Sequence, residues 1–356
     1  MDKRHLFFYI ALVILLAAAG CAKNNKPAFI EYTYNGSGTA GDILTITVNE
    51  SIGGYTVYNE SDRLYDNGSF TLYSNELKGL YKVFTAGSFY YAVEIPGQVF
   101  TGNFPAARLF NNLSYGISKQ SGSVNPQSFG SYVYLHIAKT AVNGSSGNKE
   151  WGILTILSDG RWTRKAYCND TGTLTSLMPD AYTGIVPPVN PSDTGTWIVN
   201  PRYPNRMIMS QANSIDTLTG FPCAGDSGAV FVMDLGFGHG FLIGLKLLDG
   251  SQNHMKGNYG YADVRYDATT GGGKFTVNDT SQAISWWRVD SYAKTTNGSF
   301  GALSQCAVLK NVYFAKDVLF YGETVDFYAV VSGPYFMEFQ FLKNQFRSYG
   351  TGASLP

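Results

Sequence analysis

The sequence predicts an all-β chain, on three observations. Segments of about five to eight residues, rich in β-branched and aromatic side chains, recur along it between Gly, Asn and Ser. Aromatic residues make up 15% of the 356 residues, with Tyr leading, a composition suited to half-buried pleated surfaces. Charged residues are also only 15%, and 26 acidic side chains balance 26 basic ones. That balance favours neither a nucleic-acid partner nor an acidic substrate. The length allows two or three domains with cores of their own.

The first element is a targeting segment. Lys3 and Arg4 precede an apolar run, Leu6 to Leu16, that ends in Ala17-Ala18-Ala19-Gly20-Cys21. A basic start, a short apolar stretch and small residues predict a secretory signal over 1–21. The run is short for a mature membrane-spanning helix. The small residues ending on Cys21 resemble a bacterial lipobox, with Ala18 where Leu is more usual. That resemblance implies a diacylglyceryl group on Cys21 and an exported chain, lipid-anchored to a membrane of the cell envelope or the cell surface. A plain signal peptide cut nearby and an uncleaved anchor are the alternatives. Residues 22–28 read as a polar tether. Three further cysteines, Cys168, Cys223 and Cys306, leave at least one unpaired. No cysteine pair has metal-ligand spacing and the four histidines are scattered, so no metal site is expected.

Residues 29–97 read as strand after strand ("DILTITV", "GYTVYN", "GLYKVFTA", "SFYYAVEI"), a spacing that predicts a small immunoglobulin-like β-sandwich. Pro96 to Pro105 reads as a linker. From 98 to 300 the strand candidates include "YVYLHIA", "EWGILTILS", "RWTRKAY", "RMIMSQA", "GAVFVMD" and "GFLIGLKLL". A proline-rich connector, Ile185 to Gly195, divides this region, and two barrels joined by a crossing strand fit the profile. Ser281 to Ala293 is the one helix candidate. Residues 305–356 have room for three or four strands, a partial β-rich module or a second sandwich. They echo the N-terminal segment, with Gly322-Glu323 matching Gly41-Asp42.

The stretch Cys223-Ala224-Gly225-Asp226-Ser227-Gly228 carries the chemistry. It resembles the nucleophile loop of trypsin/chymotrypsin-like serine peptidases, and "GNYGYADV" and "ISWWRV" downstream resemble later elements of that family. The resemblance implies a double β-barrel of chymotrypsin type over 98–300. In it Ser227 is the nucleophile, and the N–H groups of Gly225 and Ser227 form the oxyanion hole. It also implies a base and an orienting carboxylate before the serine. His5 lies in the signal and His239 and His254 follow the serine, which leaves His136; Asp170 is the choice for the acid, with Asp159 and Asp180 competing. Phe221, Leu247 and Leu248 would line a shallow or apolar substrate pocket, and Cys168 or Cys306 would be the partner of Cys223. The expected activity is that of a membrane-anchored serine endopeptidase acting on a protein or peptide without a cofactor. The alternative is a catalytically inactive, peptidase-like surface lipoprotein that binds polysaccharide or protein. Hydrogen-bond reach between His136 and Ser227 separates the two.

Overall fold

The computed structural model describes residues 30–355 apart from 75–76, 86, 104–112, 119–123, 140–145, 169–192, 213, 226–227, 249–254 and 266–268. The signal segment, Cys21 and the tether lie outside the described residues. The chain is all-β, built of three antiparallel, barrel-like sheets.

The first sheet contains β1 (Glu31–Gly38), β2 (Ile43–Asn49), β3 (Gly54–Asn59), β4 (Leu64–Ser69), β5 (Thr71–Leu72), β6 (Leu80–Thr85), β7 (Ser88–Ile95), β8 (Val99–Gly102) and β9 (Ser114–Ser118). Its first strand pairs with its last, and it is open only between β4 and β5. The central sheet contains β10 (Gly130–Lys139), β11 (Ser146–Ile156), β12 (Arg161–Ala166), β13 (Asp193–Val199), β14 (Met207–Gln211), β15 (Thr217–Gly225), β16 (Gly228–Asp234) and β17 (Phe241–Lys246). Here β17 returns to β10 and the barrel is closed. The third sheet contains β18 (Gly257–Arg265), β19 (Thr270–Val277), β20 (Ala283–Asp290), β21 (Thr295–Ala302), β22 (Ser304–Gln305), β23 (Val312–Phe320), β24 (Glu323–Ser332), β25 (Tyr335–Leu342) and β26 (Gln345–Ser354). It repeats the order of the first, with β18 against β26 and the gap between β21 and β22.

Successive side chains of a strand point to opposite faces, and this explains the two kinds of strand in the sequence. β13 alternates, because its outer face meets water. β10, β16 and β17 are apolar on both faces, because both are covered. Their inward row, including Tyr132, Tyr134, Phe231 and Leu242, fills the barrel with Leu154, Trp162 and Met209. Their outward row, including Val133, Leu135, Val230 and Ile243, joins Val93 and Tyr115 of the first sheet and Met337 and Phe339 of the third in one shared core. Polar contacts pin the same junctions. Ser37 donates to Asp234 at 2.7 Å, Arg206 grips Glu60 at 2.9 and 2.6 Å, and Asn311 donates to the Lys246 carbonyl at 3.2 Å.

The two outer sheets match in residues as well as in strand order. Tyr91-Ala92-Val93 on β7 answers Tyr328-Ala329-Val330 on β24; both alanines face their own sheet's interior and both valines face the shared core. Asn67-Gly68-Ser69-Phe70 and Asn297-Gly298-Ser299-Phe300 match on the fourth strands, the first run ending one residue past β4. Each of these glycines lies opposite an aromatic residue of the third strand, Tyr55 or Trp286. A Cβ there would come within 2.6 Å or 2.8 Å of that side chain, so glycine is required for the close approach.

Several expectations change. Residues 29–97 do not form an immunoglobulin-like sandwich but most of a nine-stranded sheet whose closing strand, β9, lies beyond residue 97. The segment read as a linker, Pro96 to Pro105, contains β8. Residues 98–300 hold one closed barrel and parts of both outer sheets rather than two barrels. The helix candidate is β20: Ile284 and Trp286 point inward at period two. Residues 305–356 are not a separate partial module; they complete the sheet begun at β18. The repeat is real but differently framed, because β1 corresponds to β18, not to the segment before Gly322.

Candidate functional site

Gly225 and Gly228 face each other as the last pair of the β15–β16 ladder. The Gly-Asp-Ser-Gly tetrad thus begins and ends in the β15–β16 ladder, and Gly, Asp and Ser are ordinary turn residues. Asp226 and Ser227 lie outside the described residues, as does Asp170. His136 is inward-facing on β10, in line with Leu242 on β17 and Met233 on β16. Met233 is five residues along β16 from Gly228. At about 3.4 Å per residue that separates the two levels by roughly 17 Å. The barrel therefore puts His136 at one mouth and the Gly225–Gly228 pair at the other.

His136 belongs to a polar cluster. Its Nε2 donates to the His239 carbonyl oxygen at 2.8 Å. Opposite it on β11 stands Glu150, whose carboxylate accepts from the Tyr134 hydroxyl. Arg164 on β12 lies 3.7 Å from Glu150 and pairs with Asp193 on β13 at 2.9 Å through Nε. Gln211 on β14 donates to the other Asp193 oxygen at 2.6 Å. Burial opposes the charge on Arg164, but Glu150, Tyr134 and Asp193 outweigh it and hold its pKa above the ordinary value. Burial first, and then Glu150, push the Tyr134 hydroxyl well up. His136, Glu150, Arg164 and Gln211, with Trp162, Asp216, Leu218 and Met233, line a cleft of about 250 Å³, and Asp193 and Tyr134 support it from behind through Arg164, Gln211 and Glu150. Carboxylates, a guanidinium, an amide and an imidazole around one space can both donate to and accept from a small, hydroxyl-rich ligand.

The other expected site residues are dispersed. Phe221 faces the shared core at 2% exposure, with the Arg206 guanidinium over its ring, and offers no surface to a substrate. Leu247 packs against that same core, with its N–H on the Ser131 carbonyl, at the far end of β17 from His136. Leu248 follows it and is half-buried. Cys168, Cys223 and Cys306 are all buried and form no disulfide, so the expected pairing of Cys223 is replaced by thiols packed as small apolar groups. Asp159 is a turn residue paired with exposed Arg161. Among the described residues no three His, Cys, Asp or Glu side chains converge as metal ligands. Glu150, Arg164, Asp193 and Gln211 were not singled out from sequence. The signal they carry is parity, since each occupies an inward position of its strand, but parity becomes a cluster only once the register is known.

No protein-family model matches the chain, and no curated protein does. Among solved structures it is similar to a protein of unknown function from the DUF3598 family of Nostoc punctiforme, at 8% identity, covering 64% of this chain and 97% of that one with a TM-score of 0.22. It is also similar to the isotype 1 transferrin binding protein B from serogroup B Neisseria meningitidis, at 12% identity, covering 92% of this chain and 77% of that one with a TM-score of 0.25. Likenesses this distant carry no argument about fold or function.

Proposed function

We propose that this chain is an exported binding protein of the cell envelope, whose central barrel takes a small polar ligand of the saccharide class at the His136 mouth. The observation that carries this reading is the position of His136. It lies about five strand residues from the Gly225–Gly228 pair, inside a cleft lined by Glu150, Arg164, Gln211 and Asp216. A serine hydroxyl needs a base within hydrogen-bond reach, and here the imidazole Nε2 is engaged as a donor to a carbonyl instead. Export and a lipid on Cys21 belong to the same proposal and rest on the sequence of residues 1–21.

The rival reading, a serine endopeptidase of chymotrypsin type, rests on the Cys-Ala-Gly-Asp-Ser-Gly sequence. One pair of measurements separates them. The full chain is incubated with a fluorophosphonate probe, and in parallel screened on a glycan array with Arg164→Met beside it. The binding reading expects no adduct at Ser227 and a glycan signal that Arg164→Met weakens about tenfold, the size of one lost charge-assisted hydrogen bond. An adduct at Ser227 that His136→Ala abolishes would establish the peptidase instead. A wild-type chain that retains no glycan would overturn the saccharide assignment.

A further inference from the structure

The first sheet holds a second cavity, of about 590 Å³, unrelated to the barrel cleft. Its wall is largely apolar, with Phe70, Leu72, Ile95 and Pro96 from the first sheet and Pro334 and Leu355 from the third. At its floor is Glu94, 3% exposed, on β7. The matched third sheet shows what this position ordinarily holds. Glu94 pairs with Phe100 as Val331 pairs with Phe336, and each directly follows its Tyr-Ala-Val run. The surroundings also correspond: Tyr34 and Tyr259 are each the partner of the matching serine of the last strand, and Tyr81 and Tyr313 of the matching alanine. The third sheet thus has a sealed apolar core where the first has a carboxyl.

In the third sheet the two tyrosine hydroxyls accept backbone N–H groups, Tyr313 from Met255 and Tyr259 from Lys256, each at 3.3 Å. Met255 is fully buried there and plugs the core. In the first sheet Ile30, the residue at the same offset before Tyr34, is 41% exposed and sends its N–H to Ser51, so among the described residues none takes the place of Met255. The Tyr34 hydroxyl accepts the Gly97 N–H at 3.0 Å and donates to Glu94, and the Tyr81 hydroxyl donates to Glu94 at 2.9 Å. Tyr81 also lies 3.1 Å from Glu50, which lines the same cavity. One phenolic proton cannot serve two carboxylates, so once Glu94 is ionised the cluster is short of one donor.

We propose that this cavity binds an amphiphilic primary amine, with its apolar chain along Phe70, Ile95 and Leu355 and its ammonium group against Glu94 and Glu50. The ammonium supplies the missing donor and the chain takes the place that Met255 fills in the third sheet. Lys78, exposed at the rim, is the one cation among the lining residues and leaves them with a net negative charge when both glutamates are ionised. Burial pushes Glu94 up to about 7, against the hydrogen bonds from Tyr34 and Tyr81 that hold it down. The groups facing it are Tyr34, Tyr81, Glu50 and Lys78. Amine binding is therefore expected to weaken as pH falls through neutrality.

Titration calorimetry of the full chain with decylammonium, decanol and decanoate, each below its micelle concentration, tests this. At pH 8.5 decylammonium is expected to bind at least about tenfold tighter than decanol, and to lose that advantage in Glu94→Gln and at pH 5.5. Leu355→Trp, which fills the cavity from the third sheet, is expected to abolish binding while leaving Glu94 in place. Decanol binding as tightly as the amine, decanoate binding tighter than either, or no binding by the folded wild-type chain would each overturn the proposal. Glycan binding at the barrel mouth is expected to be unaffected by either substitution, so the two sites fail or succeed separately.

Discussion

At the scale of single residues, burial raises the carboxyls of Asp42, Asp234, Glu94 and Glu338 among the described residues. Burial raises Asp234 to about 6, Glu94 to about 7 and Glu338 to about 8. Unfolded, each titrates near 4. Between about pH 4 and pH 8 the folded chain therefore binds more protons than the unfolded one, and these groups make stability fall as pH rises through that window. Glu338 is the clearest case. It is fully buried, and Gln340, two residues along the same strand, donates to it at 2.9 Å. Urea midpoints measured from pH 5 to pH 8 are expected to decline, and Glu338→Gln to remove the upper part of the decline. A midpoint that rises over that range in both proteins would contradict the assignment. Above pH 8 Lys149 acts in the opposite direction, because burial and the nearby Arg347 lower it to about 8. At this scale the sequence was least legible: a glutamate in an alternating strand looks the same whether it faces solvent or a core.

At the scale of elements, the turn between β1 and β2 decides how the first sheet meets the barrel. Ala40 accepts the Gly238 N–H at 2.9 Å, and a Cβ on Gly41 would lie 1.8 Å from the Gly236 carbonyl oxygen. Gly41 also has φ +77°, a region that disfavours side chains. Gly41→Ala is expected to cost at least about 2 kcal/mol of unfolding free energy, read from the urea midpoint. A loss below about 0.5 kcal/mol would mean that the two turns separate freely. Individual strands were largely readable from period-two runs and turn residues, β2, β3, β7, β10, β16 and β17 among them. β20 was not: Ser281 to Ala293 was read as a helix, whereas the buried Ile284 and Trp286 alternate at period two. Likewise "GDSG" has the local chemistry of a hairpin turn as much as that of a nucleophile loop. The level of His136 relative to Gly228 follows only from the ladders linking β10, β17 and β16.

At the scale of the whole molecule, three sheets share one apolar core. Trp151 on the outside of the barrel lies 5.0 Å from Phe339 of the third sheet, centre to centre, and Leu80, Val93 and Val99 bring the first sheet into the same cluster. Each sheet exposes this core if its neighbours leave. The chain is expected to unfold in one calorimetric transition, with a van't Hoff to calorimetric enthalpy ratio near about one, in spite of its length. Separate peaks for the outer sheets would show that they are independent. This organisation was poorly legible in the sequence. Closing each outer sheet requires its first strand to find its last across about 80 residues from β1 to β9 and about 90 from β18 to β26. Short-range patterning does not contain that pairing.

The correspondence between the outer sheets also makes the molecule its own reference state. Wherever the two agree, as in the Tyr-Ala-Val runs or the glycines beneath Tyr55 and Trp286, the shared residue is what the architecture demands. Wherever they part, as at Glu94 and Val331, the difference isolates what one half has given up in stability for some other purpose. The pair is a natural substitution experiment carried within a single polypeptide, with scaffold, solvent and temperature held constant. Amide exchange measured strand by strand would read its result directly, as the gap in protection between β7 and β24.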